Sequence, residues 1–92
     1  MILPRPSPTV ICRELHEGAV LFCTATEVYF SLNAIATRIW QLLPPACLSE
    51  EEVVARLAES HPDVFPGEIA ADLRALLEDL ARNGLVESSR AA

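Results

Sequence analysis

The feature that most constrains the fold is an abrupt change in the spacing of apolar residues at Asn33. Residues 29–32 have the dense apolar character of a short strand, whereas Ile35, Ile39 and Leu42 fall on one face of a helix. Asn33 suits this junction because its side-chain oxygen can accept a hydrogen bond from a free N–H of the first helical turn. The sequence therefore predicts a strand that passes directly into a helix.

Two further segments with strand character precede this junction. Residues 10–15 and 19–24 are rich in β-branched and apolar residues, and residues 27–32 form the third such segment. Short connections favour an antiparallel meander in the order 1-2-3, which leaves the third strand at an edge. Unpaired backbone groups on an edge strand can form hydrogen bonds with another chain. Glu27 is the only charged residue in the third strand segment that would hinder such pairing.

The turn between the first two strands sets their predicted register. If Glu17-Gly18 is the two-residue loop, Cys12 lies directly opposite Cys23. The three cysteines, which include Cys47, lack the spacing of a zinc site and are odd in number. We therefore expect reduced, buried thiols, with the Cys12 and Cys23 pair unbonded in a reducing cytoplasm.

Three helices are predicted after the strands. The first covers residues 34–43 and ends before a pair of prolines, and the second begins at a capping box made by Ser49 and Glu52. The third and longest runs over residues 66–83, with Gly84 as its C-terminal stop. The predicted fold is thus α+β and winged-helix-like, with a three-stranded antiparallel β-meander followed by three α-helices.

The chain length of 92 residues indicates a single domain with flanking segments. Residues 1–9 hold three prolines and are expected to run extended without joining a sheet, residues 10–87 form the domain, and residues 88–92 form a polar tail expected to fray. No apolar run approaches the ~18 residues that span a bilayer, and the N-terminus lacks a signal-peptide pattern. We predict a cytoplasmic protein with no membrane partner.

Charge argues against nucleic acid as a partner. Seven arginines, no lysine and thirteen acidic residues give a formal net charge of −6. The last predicted helix carries four carboxylates and only two arginines, which is the wrong balance to face a phosphate backbone. A winged-helix DNA-binding regulator is therefore the less favoured alternative.

The sequence offers no arrangement typical of catalysis. His16 lies in a hairpin turn and His61 in a loop, neither with ligand spacing, and the three glycines form no phosphate-binding loop. The acidic run at residues 50–52 is explained by the helix dipole. We predict a non-enzyme with no metal and no cofactor, whose open edge at residues 28–30 fits the capture of an extended peptide as an added strand.

A group of residues along the chain resembles the PqqD-like domains, also called RiPP recognition elements. The residues that carry the resemblance are Tyr29-Phe30-Ser31-Leu32-Asn33, Ala36, Ile39-Trp40, the segment 48–57, and Leu80 with Gly84-Leu85-Val86. The resemblance covers roughly residues 10–87. It implies an adaptor that binds the leader segment of a ribosomally made precursor peptide along its third strand and against its third helix.

The resemblance also implies which residues contact the peptide. The strand positions that match are Val28, Tyr29, Phe30 and Ser31, and the helix positions are Ile69, Asp72, Leu73 and Leu76. For Leu73 and Leu76, a purely structural role in the core is an equally good interpretation.

The pair Ile39-Trp40 makes the chain more similar to the leader-binding proteins of lasso-peptide pathways than to the pyrroloquinoline quinone member of the family. A role in a lasso-peptide pathway implies partners that act in trans, namely a separate leader peptidase or another modifying enzyme, and a cyclase in the same pathway. A peptide chaperone of the pyrroloquinoline quinone type is the alternative.

Overall fold

A computed structural model describes residues 3–44 and 46–87, so the predicted 88–92 tail lies outside the described residues. Three strands form one antiparallel sheet in the order β1-β2-β3, which confirms the predicted meander, and three helices follow. The elements are β1 (Val10–Leu15), β2 (Gly18–Cys23), β3 (Val28–Leu32), α1 (Ala34–Leu42), α2 (Glu50–Ser60) and α3 (Pro66–Arg82).

The register of the first hairpin differs from the predicted one. Cys12 pairs with Leu21, and Cys23 pairs with Val10, so the prediction that the two cysteines face each other is wrong. The reason lies at Gly18, which belongs to β2 and not to the turn. A Cβ at this position would collide with the carbonyl oxygen of Leu32 on the neighbouring strand. The glycine is therefore required by the close approach of β3.

Replacing Gly18 with alanine should lower the free energy of unfolding by about 1–3 kcal/mol, because a backbone carbonyl cannot move aside as a flexible side chain can. Urea denaturation followed by circular dichroism measures the change. Gly67→Ala is the matched control, since the nearest atoms to its Cβ belong to the ring of Phe65, which is 71% exposed and free to turn away. Equal urea midpoints for Gly18→Ala and the wild type would contradict this account of the register.

The core lies between one face of the sheet and the helices. Ala19, Leu21 and Cys23 alternate along β2 on that face and are buried, while Val20 and Phe22 on the opposite face are only partly buried. Trp40 packs against the core without being fully buried. The helices contribute Ile39, Leu42, Val53, Leu57, Ile69, Leu73, Leu77 and Leu80.

The predicted N-caps are confirmed. Asn33 Oδ1 accepts a hydrogen bond from the Ala36 N–H at 2.8 Å, and the Thr37 hydroxyl donates to the Asn33 carbonyl at 2.8 Å. At α2, the Glu52 N–H donates to Ser49 Oγ at 3.3 Å. The cap at Asn33 fixes the angle between β3 and α1, and so determines what lies beside the end of β3.

The central residues of the proline-rich arm lie outside the three-stranded sheet, but they are not without backbone partners. Pro6 and Val86 form an antiparallel bridge at the end of the chain's described part. The hydrogen bonds that flank this pair run from Ser7 N–H to Leu85 C=O (3.0 Å) and from Glu87 N–H to Arg5 C=O (2.7 Å). Pro6 is tolerated because it lies between these bonds, where its missing N–H is not needed.

None of the helices in residues 3–44 and 46–87 has the length and apolar character to cross a membrane.

Candidate peptide-binding site

The long edge of β3 is the first part of the candidate site. Within the sheet formed by the described residues, β3 pairs with β2 alone and its other side has no strand neighbour. The strand begins at Val28, one residue later than predicted, because Glu27 has a φ of +59° and belongs to the preceding turn. An unpaired side of this kind presents backbone donors and acceptors to an incoming chain.

The register shows which backbone groups point outward. The Thr24 N–H donates to the Thr9 carbonyl at 2.9 Å, which continues the β1–β2 ladder by one pair. Hydrogen-bonded and non-bonded pairs alternate along antiparallel strands, so the even residues of β2 bond to β1 and the odd residues bond to β3. Phe30, which pairs with Leu21, is therefore bonded inside the sheet. Its neighbours on both sides, at 29 and 31, direct their N–H and C=O groups to the open edge.

The side chains of β3 alternate between the two faces of the sheet. Val28 and Phe30 are partly buried on the face that packs against the core, whereas Tyr29 and Ser31 are exposed on the other face. The ring of Tyr29 lies 4.6 Å from that of Phe22, at an interplanar angle of 39°. A peptide paired with β3 would place its own side chains alternately on these two faces.

The outer sheet face, defined by Ile11, Arg13, Val20, Phe22 and Tyr29, carries a shallow pocket of about 470 Å³. Ile11 is 57% exposed and Tyr29 71% exposed. This face was not predicted from the sequence. The signal was present at Val20 and Phe22, which are apolar at positions that alternate with the core.

A groove between α1 and α3 is the second part of the candidate site. Its volume is about 290 Å³. Asn33, the residue that follows β3, is one of its walls, so the groove adjoins the end of the open edge. The other lining residues are Ile35, Ala36 and Ile39 from α1, and Asp72, Ala75, Leu76 and Asp79 from α3.

The predicted helix contacts divide into two sets. Asp72 and Leu76 line the α1/α3 groove, and Leu76 is partly buried there. Ile69 and Leu73 are 3% and 0% exposed in the core, so the structure does not bring their side chains to the groove. The burial of Leu73 agrees with a structural role, and its contact with a peptide stays a prediction.

Other groove residues were missed by sequence reasoning, although the spacing contained a signal. Asp79 follows Asp72 by seven residues, which places both on one face of α3 with Leu76 between them. Ile35 and Ala36 were assigned to the helix itself. Because Ile35 starts the apolar stripe of α1, its partial exposure beside β3 was not visible from periodicity.

Negative charge dominates the rim of the α1/α3 groove, because the two arginines of α3 are held in ion pairs. Arg74 Nε donates to the buried carboxylate of Glu50 at 2.8 Å, and this contact ties α3 to α2. Arg82 pairs with Asp79 at 3.2 Å. Asp72 makes no hydrogen bond or ion pair with any residue in the described part of the chain. Both arginines of α3 are thus engaged, and the groove rim is negative.

The cysteines are free thiols with limited access to solvent. Cys23 and Cys47 are buried, as predicted, and Cys12 is partly buried. Hydrogen bonds from Thr26 and Thr9, opposed by burial, lower the pKa of the Cys23 thiol to about 7. Burial raises the pKa of Cys12. A thiolate needs access as well as a low pKa to act as a nucleophile, and Cys23 is only 2% exposed.

The chain can now be compared with known proteins. No curated protein is similar enough to count as a match. Two solved structures are similar: "TbiB1 in Complex with the TbiA(beta) Leader Peptide" (30% identity, TM-score 0.82, 95% of this chain and 99% of that chain) and "Lasso peptide synthetase B1 complexed with the leader peptide" (26% identity, TM-score 0.77, 91% and 96%). The family profile described as "Coenzyme PQQ synthesis protein D (PqqD)" matches residues 18–86. Since that match spans β2 to the end of the described helices, this chain belongs to the PqqD family.

Proposed function

We propose that this protein is a non-catalytic adaptor that binds the leader segment of a ribosomally synthesised precursor peptide as an added strand on β3. The observation that carries the proposal is the open edge at Tyr29 and Ser31, whose outward backbone groups lie beside an apolar groove. Both similar solved structures are complexes with a leader peptide, which supports the same ligand class here.

Backbone hydrogen bonds to the β3 edge alone cannot provide the affinity expected for a leader peptide. Tyr29 and Ser31 offer two N–H and two C=O groups, and each protein hydrogen bond contributes a net of about 0.5–1.5 kcal/mol, or about 4 kcal/mol together. Leader binding in the nanomolar to micromolar range requires about 8–12 kcal/mol. Side-chain anchors must therefore supply the larger part. The partly buried Val28, Phe30 and Leu76 provide apolar surface beside the edge.

An adaptor of this kind acts through other proteins. The bound leader tethers the core peptide, and a separate leader peptidase and a cyclase then act on it in trans, in the cytoplasm where the precursor is made. The Cys23 thiol is buried, His16 lies in an exposed turn, and the partly buried ring of His61 lies 3.3 Å from the Leu57 carbonyl, so these groups do not form a nucleophile–base pair open to a substrate.

The description of the matching family favours a second candidate, a peptide chaperone in pyrroloquinoline quinone synthesis. The mode of binding would be the same and only the precursor would differ. The short open reading frames beside the gene separate the two, because each pathway encodes its own precursor peptide.

Binding to peptide and DNA should differ sharply. A fluorescein-labelled leader from the adjacent short reading frame should bind with a Kd in the nanomolar to micromolar range, about −8 to −12 kcal/mol, in anisotropy titrations. A duplex DNA of about 20 base pairs should not bind near physiological salt, because the α3 rim is negative and its arginines are paired. A scrambled leader is the control. Sequence-specific binding of the duplex would contradict the adaptor function.

A further inference from the structure

The α1/α3 groove is built to receive a side chain that is partly apolar. Ile35, Ala36 and Ile39 form its α1 wall, and Ala75 and Leu76 form the opposite wall. Leu76 is only partly buried although it packs against the core, so apolar surface remains open in the groove. An uncovered apolar wall of this kind gains stability when an aliphatic or aromatic group covers it.

The rim of the groove carries only negative charge among the described lining residues. Asp72 and Asp79 lie one turn before and about one turn after Leu76, so they border the apolar floor at both ends. Arg82, which does not line the groove, forms an ion pair with the Asp79 carboxylate. Arg74, which could otherwise balance Asp72, is held by Glu50.

The position of the groove makes it a continuation of the edge. Asn33 closes β3 and also lines the groove, so a peptide that pairs with Ser31 and continues past the end of β3 enters it within one or two residues. A lysine or arginine side chain suits both parts of the surface. Its aliphatic stem can lie on an apolar wall while its charged head stays at the solvated rim.

We propose that the α1/α3 groove recognises a lysine or arginine of the bound peptide, whose aliphatic stem covers the apolar wall and whose cation pairs mainly with Asp72 and more weakly with Asp79. This inference rests on the proposed function, and it adds a charge preference to it. Asp72 is the main determinant, because Asp79 is already partly neutralised by Arg82. An acidic residue at the same peptide position is excluded by like charge.

The test uses selection from a random peptide library displayed as messenger-RNA fusions, with the full chain as bait. Enriched peptides should carry a lysine or arginine at one fixed end of the strand-like segment. A labelled peptide from that pool should then bind Asp72→Asn about 5- to 10-fold more weakly than the wild type. The loss should shrink when salt is raised from about 0.05 M to about 1 M, because the rim is open to solvent.

Glu78→Gln is the matched control. It removes one negative charge from the same helix, but Glu78 is exposed and does not line the groove. Asp72 is also exposed and without a partner in the described residues, so its replacement should leave the unfolding transition unchanged.

The two proposals fail in different ways. Enriched peptides that need the β3 edge but show no basic preference, or equal losses in Asp72→Asn and Glu78→Gln, would overturn the charge preference and leave the adaptor function intact. Peptides that bind with no dependence on the β3 edge would overturn the adaptor function itself.

Discussion

Tyr29→Pro should remain folded and bind its peptide at least about tenfold more weakly, whereas Phe30→Pro should unfold the sheet. The Tyr29 N–H points to the open edge, so proline removes a donor that only the ligand uses. Phe30 is bonded to β2 opposite Leu21, and proline there breaks the sheet ladder from within. The two neighbours thus separate a binding defect from a folding defect.

Ser31 provides a cleaner pair of variants, because Tyr29→Pro also removes the ring contact with Phe22. Ser31→Pro should weaken binding as Tyr29→Pro does, while Ser31→Ala, which keeps the N–H, should bind like the wild type. Amide hydrogen exchange followed by NMR gives an independent readout. In the free protein the Phe30 amide should exchange slowly and the Tyr29 and Ser31 amides quickly, and the peptide should slow only the latter two within this strand.

Unchanged peptide affinity in a folded Tyr29→Pro and a folded Ser31→Pro would mean that the ligand does not pair with β3. A slow Tyr29 amide in the absence of peptide would mean that the register derived from the Thr9 and Thr24 contact is wrong by one position.

Local chemistry was sufficient to predict the helix boundaries and the order of the strands. The caps at Asn33 and Ser49 depend only on a side chain and the N–H groups two or three residues away, so they can be read from sequence. The strand order followed from short connections. These parts of the fold place β3 at the edge, and the most important feature of the candidate site was therefore accessible before the structure.

Apart from the start of β3, the differences from the predicted fold concern contacts between residues that are distant in sequence. Gly18 resembles a turn glycine until the carbonyl of Leu32 is placed beside it. Pro6 resembles a residue without a backbone partner until Val86 pairs with it in an isolated bridge, at a position that needs no N–H. For both residues the local conformational preference was a reasonable guide, but a contact with a residue distant in sequence determined their place in the fold.

The rotation of α3 about its axis explains why only some of the residues predicted to contact the peptide line the α1/α3 groove. The apolar stripe of α3 is wide enough that residues 69, 73 and 76 all belong to it. Packing against α2 and α1 turns Ile69 and Leu73 fully inward and leaves Leu76 at the border with the groove. Periodicity gives the width of a stripe, and only the neighbouring elements determine which of its edges faces a ligand.

Leu73→Ala should lower the free energy of unfolding by about 2–5 kcal/mol, since the Leu73 side chain is fully buried and its loss leaves a cavity. Leu76→Ala should cost less stability, about 1 kcal/mol or less, because its side chain already faces solvent on one side. The order should reverse for peptide binding. Leu76→Ala removes part of the groove wall and should weaken binding about tenfold, whereas folded Leu73→Ala should bind nearly as the wild type does.

Leu57→Ala is the matched control for the loss of core packing. Leu57 lies in α2, is 1% exposed and does not line the groove, so its replacement should destabilise the protein as Leu73→Ala does without a direct effect on binding. Urea denaturation measures the stability of the three variants, and calorimetric titration at a temperature where circular dichroism shows each of them folded measures the affinity. If Leu73→Ala loses affinity well beyond Leu57→Ala under these conditions, the peptide reaches deeper between β3 and α3 than the α1/α3 groove allows, and Leu73 belongs to the binding surface after all.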